Sequence, residues 1–422
     1  ADAIFVGQLV SPEGVGAIVV AFNIVSLNMA LAMLFATGAM SVLSRAIGEK
    51  DEKAINKLFG NVVLGVSFLS LLLTIIVYNW AGPLLRFVGA DGEILALGTK
   101  YLRIISLGFV FSGLGPALNF LIRGEGQMKS AMKIIISGML INIVLNPLLI
   151  KGFNMGIQGA ALATILAQSI VLIGNIIYFK SGKSIIKITK KSFKMSFDIM
   201  PKILSVGFSG MVMQIMPAIQ MALMFRVLFS YGGENSVIVM SAAYRVMTFA
   251  FIVLWGVAQG VQPIIGANYG ARQFAWVKKA FLSFAGIATG IAVPLWFSFL
   301  LFPKFIMGWF ITDASLVQSS VGQFRIFLGI FLLYGVLATS IVFFQAIGKG
   351  AKAAILVTGR QILFFIPLVL FLPKLFGETG AWLAMPLGDL LITILGILLV
   401  ILEFKTLDKI KTGHSCNKAV LP

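Results

Sequence analysis

One cysteine, Cys416, and one histidine, His414, are all that 422 residues supply, and both fall in a polar C-terminal stretch. No disulfide framework, zinc ligand set or Cys/His or Ser/His catalytic group can be assembled from them. Acidic residues are scarce as well: 15 Asp and Glu face 33 Lys and Arg, for a net charge of +18, and only 11% of the chain is charged. An average soluble domain carries about 25% charge, so the chain falls in the membrane class. A basic nucleic-acid binder would need its cations on an aqueous face, whereas here they are thinly spaced between long apolar runs.

What is abundant is apolar: 59% of the residues are hydrophobic. A bilayer core takes about 20 apolar residues as a helix, since only a helix satisfies its own backbone in hydrocarbon within one segment. Eleven complete spans are expected, at 15–43, 59–80, 104–122, 134–150, 157–179, 203–225, 236–265, 280–303, 326–348, 353–373 and 380–402. Ahead of them, Ala1 to Val10 is apolar but too short to cross. It reads as the end of a first helix, with about 20 residues missing before Ala1. The fold class is therefore an all-α polytopic membrane protein with twelve transmembrane helices, the first incomplete.

Connections after even-numbered spans, together with the C-terminal tail, hold 24 of the 33 Lys and Arg. By the positive-inside rule that face and both chain ends are cytoplasmic, which suits the plasma membrane of a bacterium. The connection 181–202, with Lys180 at its edge, carries seven lysines and is read as a solvated loop that sets topology. It divides the chain into a six-helix lobe over 1–180 and another over 203–403, followed by a tail at 404–422. The lobes repeat one another. Gly38, Gly48 and Lys57 match Gly260, Gly270 and Lys279, Gly126 aligns with Gly350, and Gly156-Ile-Gln-Gly159 recurs as Gly377-Glu-Thr-Gly380. Six spans per lobe make the repeat parallel, an arrangement that commonly encloses a site whose access alternates.

Thirteen of the 15 acids lie in connections, at span ends or in the tail, which leaves Asp2 and Asp389 inside spans. Asp2 is about 12 Å deep at a rise of ~1.5 Å per residue. An ionisable group there costs at least ~2.5 kcal/mol and usually faces a cavity or a partner. No basic residue is evident in the neighbouring N-terminal spans, so this carboxylate suits proton or alkali-cation exchange. Asn142 and Asn146, at i and i+4 on the fifth span, share one face, and Thr164 on the sixth can add a hydroxyl. That oxygen set fits a proton or a monovalent cation such as sodium and is poor for zinc; no metal beyond sodium at Asp2 is expected. Arg245 is read as the one cation well inside a span, facing the C-terminal lobe's interior with Asp389 and pairing with it, while Arg360 snorkels toward the cytoplasm. Met213, Gln214, Met216 and Gln220 give the seventh span a pliable surface for varied apolar ligands. With Arg245 and Asp389 they are the candidate substrate-cavity residues.

The segments Asp2-Ala-Ile-Phe-Val-Gly7, Arg123-Gly-Glu-Gly126, Asn142-Ile-Val-Leu-Asn-Pro-Leu-Leu-Ile150, Gly156-Ile-Gln-Gly-Ala-Ala-Leu-Ala-Thr164 and Gly260-Val-Gln-Pro-Ile-Ile-Gly-Ala-Asn-Tyr-Gly-Ala-Arg272 occur in one order. Together they resemble the multidrug and toxic compound extrusion (MATE) transporters, the last motif resembling the DinF/MepA-type branch. The resemblance implies two six-helix lobes and secondary-active export of organic, often cationic, compounds by H⁺ or Na⁺ antiport. It implies no cofactor, no enzymatic activity and a monomer in the bilayer. It places the N-lobe cation site on Asp2, Asn142, Asn146 and Thr164, with Asn146 standing where many members carry a second carboxylate. A flippase for lipid-linked oligosaccharides, from the same superfamily, is the rival reading; it would need several cations at cavity depth. A passive channel is the rival of another class.

Overall fold

The computed structural model describes residues 2–188 and 190–418, and all of their side chains except those of 190–191 and 411–418. His414 and Cys416 thus lie outside the described side chains. Fifteen α-helices follow one another: α1 (Asp2–Leu9), α2 (Pro12–Glu49), α3 (Glu52–Phe87), α4 (Gly92–Leu107), α5 (Phe109–Gly124), α6 (Met128–Pro147), α7 (Gly156–Lys180), α8 (Met200–Gly270), α9 (Phe274–Leu301), α10 (Pro303–Met307), α11 (Ala314–Ser319), α12 (Val321–Leu328), α13 (Tyr334–Ala346), α14 (Gly350–Gly359) and α15 (Ile366–Lys418). Among the described residues eight helical stretches are long and apolar enough to cross a bilayer, and α4 with α5, bent by 52°, makes a ninth. Two of the nine are double, because α8 breaks at Gly233 and α15 at Gly377, both at positive φ. That yields the eleven expected spans plus the short α1.

The chain packs as two compact units, Ala1–Ile215 and Met216–Pro422. The repeat is visible in the backbone of each. Ser11 caps α2 through the Gly14 N–H (3.1 Å) with Pro12 in the first turn, and Asp51 caps α3 through the Ala54 N–H (3.0 Å). Lys50 and Arg272, 222 positions apart, both end their helices in the left-handed region at φ 57°. Gly126 (φ 82°) has its counterpart at Gly348 (φ 77°) and not, as the residue types suggested, at Gly350. Gly350 instead opens α14, as Met128 opens α6. Gly159 and Gly380 both sit hard against the end of the preceding span. A Cβ would come 2.7 Å from the Leu149 carbonyl carbon in one unit and 2.2 Å from the Leu372 oxygen in the other.

Buried polar groups tie the first unit's helices together. Asn28 on α2 donates to the Phe109 carbonyl (3.0 Å) in the first turn of α5 and to Ser112 Oγ (3.1 Å); Ser70 on α3 donates to Asn28 Oδ1 (2.9 Å). Arg123 donates to Asn119 Oδ1 (3.1 Å), and Asn119 reaches the Ala131 carbonyl.

The lysine-rich connection is not a free loop. Glu125 accepts hydrogen bonds from Ser184 Oγ, Tyr178 Oη and the backbone N–H groups of Ile185 and Ile186. Asn56 and Asn61 on α3 accept from the N–H groups of Lys187 and Ser196. Ile186 and Ile199 enter the first unit's core. Lys57 Nζ lies 2.6 Å from Asp198, and this hydrogen bond holds the Asp198 carboxyl below its ordinary value of 3.8. Backbone groups that a solvated loop would give to water are thus given to α3 and α5.

Candidate functional site: a lone carboxylate in the first unit

Helix α1 lies against α2, α6 and α7, and this packing carries Asp2 to the two polar helix faces. Asn146 donates from Nδ2 to Asp2 Oδ1 at 3.0 Å, and Thr164 donates from Oγ1 to Asp2 Oδ2 at 2.6 Å. Asn142 Nδ2 in turn donates to Thr164 Oγ1 at 3.1 Å. Asn146 sends its second N–H back to the Asn142 carbonyl at 2.9 Å, a bond across one helical turn. All four residues expected at the cation site are therefore one hydrogen-bonded group. The carboxylate is held by two neutral donors, and no Lys or Arg among the described residues forms an ion pair with it.

Asn146 is wholly buried and its Oδ1 has no hydrogen-bond partner among the described residues. Both of its donors are used, so this unused acceptor, beside the remaining lone pairs of the Asp2 carboxylate, is an atom that a cation or a hydronium-like donor could engage. Beside the group is a cavity of about 480 Å³, lined by Asp2, Asn142, Thr164, Tyr101, Gln168 and otherwise apolar side chains including Phe22 and Met139. Its wall contains one acid and no Lys or Arg. Among the described residues no group of three or more His, Cys, Asp or Glu could hold a metal ion. What remains chemically is reversible exchange of a monovalent cation or proton at one carboxylate.

Two lining residues escaped the sequence reading. Tyr101 falls just outside the expected span 104–122. In the structure it is on α4, whose Gly98, Tyr101, Leu102 and Ile105 face inward at helical spacing. Gln168 follows Thr164 by four residues on α7 and so shares its face.

The second unit corrects the other expectation. Arg245 is exposed and does not pair with Asp389. The partner is Arg360, whose Nε and Nη2 reach Asp389 Oδ1 and Oδ2 at 2.5 and 2.9 Å, while Tyr334 Oη donates to Oδ2. The Arg360 guanidinium also lies 5.5 Å from the Tyr334 ring centroid. Arg360 opens a π-helical turn, Arg360–Phe365, between α14 and α15. A π turn holds more residues than an α turn, so side chains beyond it change face relative to a 3.6-residue wheel. Arg360, the first residue of that turn, itself faces inward to Asp389 and leaves the basic face. Asp389, 2% exposed, is held by a two-pronged guanidinium and a phenol, so its charge is neutralised within the unit.

The remaining candidates are divided between units: Met213 and Gln214 are partly buried in the first, Met216 partly buried and Gln220 buried in the second. Gln220 accepts from Gln361 Nε2 at 2.9 Å. Elsewhere in this unit, Lys349 and Lys352 both bind Glu403, and Ser236 and Trp382 both bind Glu378.

The MatE family model matches residues 1–148 and 209–371. The chain is 25% identical over 400 residues to the multidrug export protein MepA of Staphylococcus aureus (strain NCTC 8325 / PS 47), covering 94% of this chain and 88% of that protein. It is 27% identical over 415 residues to the MepA of Staphylococcus saprophyticus, covering 96% and 90%. Among solved structures it resembles a MATE in the bent conformation, with a TM-score of 0.92, 26% identity and coverage of 97% and 92%. It also resembles the outward-facing conformation of a multidrug resistance MATE transporter of the MOP superfamily, with a TM-score of 0.90, 26% identity and coverage of 96% and 91%.

Proposed function

The chain belongs to the MatE family, and from that premise we propose that it is a secondary-active multidrug exporter whose coupling ion, H⁺ or Na⁺, binds at Asp2 with Asn142, Asn146 and Thr164. Family membership and the MepA relatives support export of small organic molecules without a cofactor and without enzymatic turnover. The observation that carries the ion site is the Asp2 carboxylate, held by two neutral donors beside a buried, unsatisfied Asn146 oxygen in a cavity without cations. An ion moves a transport cycle only through different affinities in its two states. Here the carboxylate and the unused amide oxygen supply one of them, with the cavity alternately open to either side of the membrane.

The absence of Lys and Arg from the cavity wall also favours neutral or cationic cargo over the pyrophosphate head of a lipid-linked sugar. Met213, Gln214, Met216 and Gln220 remain the candidate apolar contacts for cargo on the seventh span, whereas the exposed Arg245 and the neutralised Asp389 pair are not favoured for it. The basic face, less Arg360, supports cytoplasmic chain ends in a bacterial plasma membrane, and each unit's own core suits a monomer. The test is dye flux in proteoliposomes under an imposed proton or sodium gradient. Uphill dye movement driven by either gradient is expected. Movement that only equilibrates the dye would make the protein a passive channel.

A further inference from the structure

The seven lysines of 180–202 sit on a backbone that is fixed to the first unit, and the same segment leaves bulky apolar side chains uncovered. Along 183–188 the chain alternates: Ile186 is buried and Ile188 half-buried, while Lys183, Ile185 and Lys187 face out. Further on, Phe197 is 76% exposed and Phe193 49%, with Lys194 exposed between them. The single acid of the segment, Asp198, is already taken by Lys57.

The height of this segment follows from its contacts. Gly60 packs so closely against it that a Cβ would stand 1.8 Å from the Ser192 carbonyl oxygen, and the Phe193 ring meets Phe59 edge-on at 5.8 Å. Phe59 and Gly60 begin the long apolar run of α3. The connection therefore reaches back to the level where hydrocarbon gives way to headgroups. At that level an exposed Phe is solvated by acyl chains, and a Lys beside it extends its stem outward to a phosphate. Water alone would favour the lysines and penalise the phenylalanines; an anionic bilayer surface accommodates both.

We propose that this connection is a binding strap for anionic phospholipid, with Lys183, Lys187 and Lys194 engaging headgroups and Phe193 and Phe197 entering the acyl boundary. The partner is the bilayer surface next to the first unit, independent of the transported cargo. Glu125, Asn56 and Asn61 hold the strap's backbone in place, so the lysines act as a fixed array and not as a fluctuating tail.

The test uses the full-length protein in nanodiscs or detergent, titrated with phosphatidylglycerol and, separately, with phosphatidylcholine. Binding is read by native mass spectrometry or by retention of labelled lipid. Phosphatidylglycerol should bind preferentially, with an affinity that falls as salt rises. Each lysine removed should cost about fivefold, so K183Q/K187Q/K194Q together should lose on the order of 100-fold. Phe197→Ser should weaken both lipids. K374Q, a substitution outside the strap, serves as the control and should change nothing. The three lysines are exposed, and an unchanged gel-filtration profile checks that the variant is folded. Equal binding of the two lipids by the parent protein, or undiminished phosphatidylglycerol binding by the folded triple variant, would overturn the proposal. So would preferential capture of an acidic protein segment with no response to lipid charge.

Discussion

Asn146 reaches across 144 positions to donate to the Asp2 carboxylate and, in doing so, leaves its own buried side-chain oxygen without a hydrogen-bond partner among the described residues. One residue thus both orients the acid and supplies a second oxygen beside it. Asp2→Asn removes the only charge of the group, leaving a volume that the pocket already accommodates. Gradient-driven dye efflux in proteoliposomes should be abolished, while yield and gel-filtration behaviour stay as in the parent. Coupled efflux that persists in the variant would remove the ion site from Asp2.

Thr164 works in both directions, donating to Asp2 Oδ2 and accepting from Asn142. Thr164→Val deletes both bonds and keeps the shape. A hydrogen bond to a charged group is worth about 1.5–3 kcal/mol, so ion-driven flux should fall by roughly ten- to a hundredfold. Thr164→Ser keeps the hydroxyl and should retain most of it. Initial rates of efflux for the two variants, measured side by side, separate the hydroxyl from the side-chain volume.

Two arginines of the second unit should behave oppositely. Arg360→Ala strands the 2%-exposed Asp389 and should cost about 3–5 kcal/mol, read as a large drop in the thermal midpoint in detergent. Arg245→Ala, at an exposed position, should stay within about 0.5 kcal/mol. Replacing Arg360 and Asp389 together with leucines should restore much of the loss, because neither charge is then left alone.

Gly60→Ala places a methyl group where the Ser192 carbonyl oxygen now stands. The helix cannot yield easily, so the connection must lift. Trypsin should then cut at the connection's lysines faster than in the parent, at a stability cost of about 1–3 kcal/mol. A digestion time course followed on gels checks this.

Acid should loosen the same connection. Lys57 keeps Asp198 ionised below the carboxyl's ordinary value of 3.8, so its contribution is complete above that value and is lost as the pH falls through the lower folded one. Asp198→Asn should therefore raise protease sensitivity of the connection slightly at neutral pH. The difference from the parent should vanish in strong acid, when tested with an acid-active protease.

The features that rest on local composition were legible in the chain. Long apolar runs located the spans, and the i, i+4 spacing of Asn142 and Asn146 put the right faces toward Asp2. The misreadings all involve information held elsewhere. Arg360 follows α14 directly and reads as outward by its nearness to the basic face, because its partner Asp389 lies 29 positions away on another helix. Gly350 was matched to Gly126 by identity, whereas the left-handed φ belongs to Gly348, two residues earlier. The docking of 181–202 depends on side-chain acceptors of α3 and α5, more than fifty residues away, pairing with its backbone amides. A hydropathy reading has no term for such partners.

Glu378 fastens two helix breaks to each other: it follows Gly377 directly, and it accepts from Ser236, three residues past Gly233 and 142 positions from Glu378. This has a bearing on biogenesis. The ribosome delivers the Gly233 break long before the Gly377 break exists, so the hairpin around Ser236 must wait in the translocation machinery or the bilayer with its hydroxyl unfastened. Only when the last hairpin emerges can that end of the second unit be closed. Truncations that stop short of residue 378 should then leave a unit that inserts its earlier helices yet remains a target for membrane proteases.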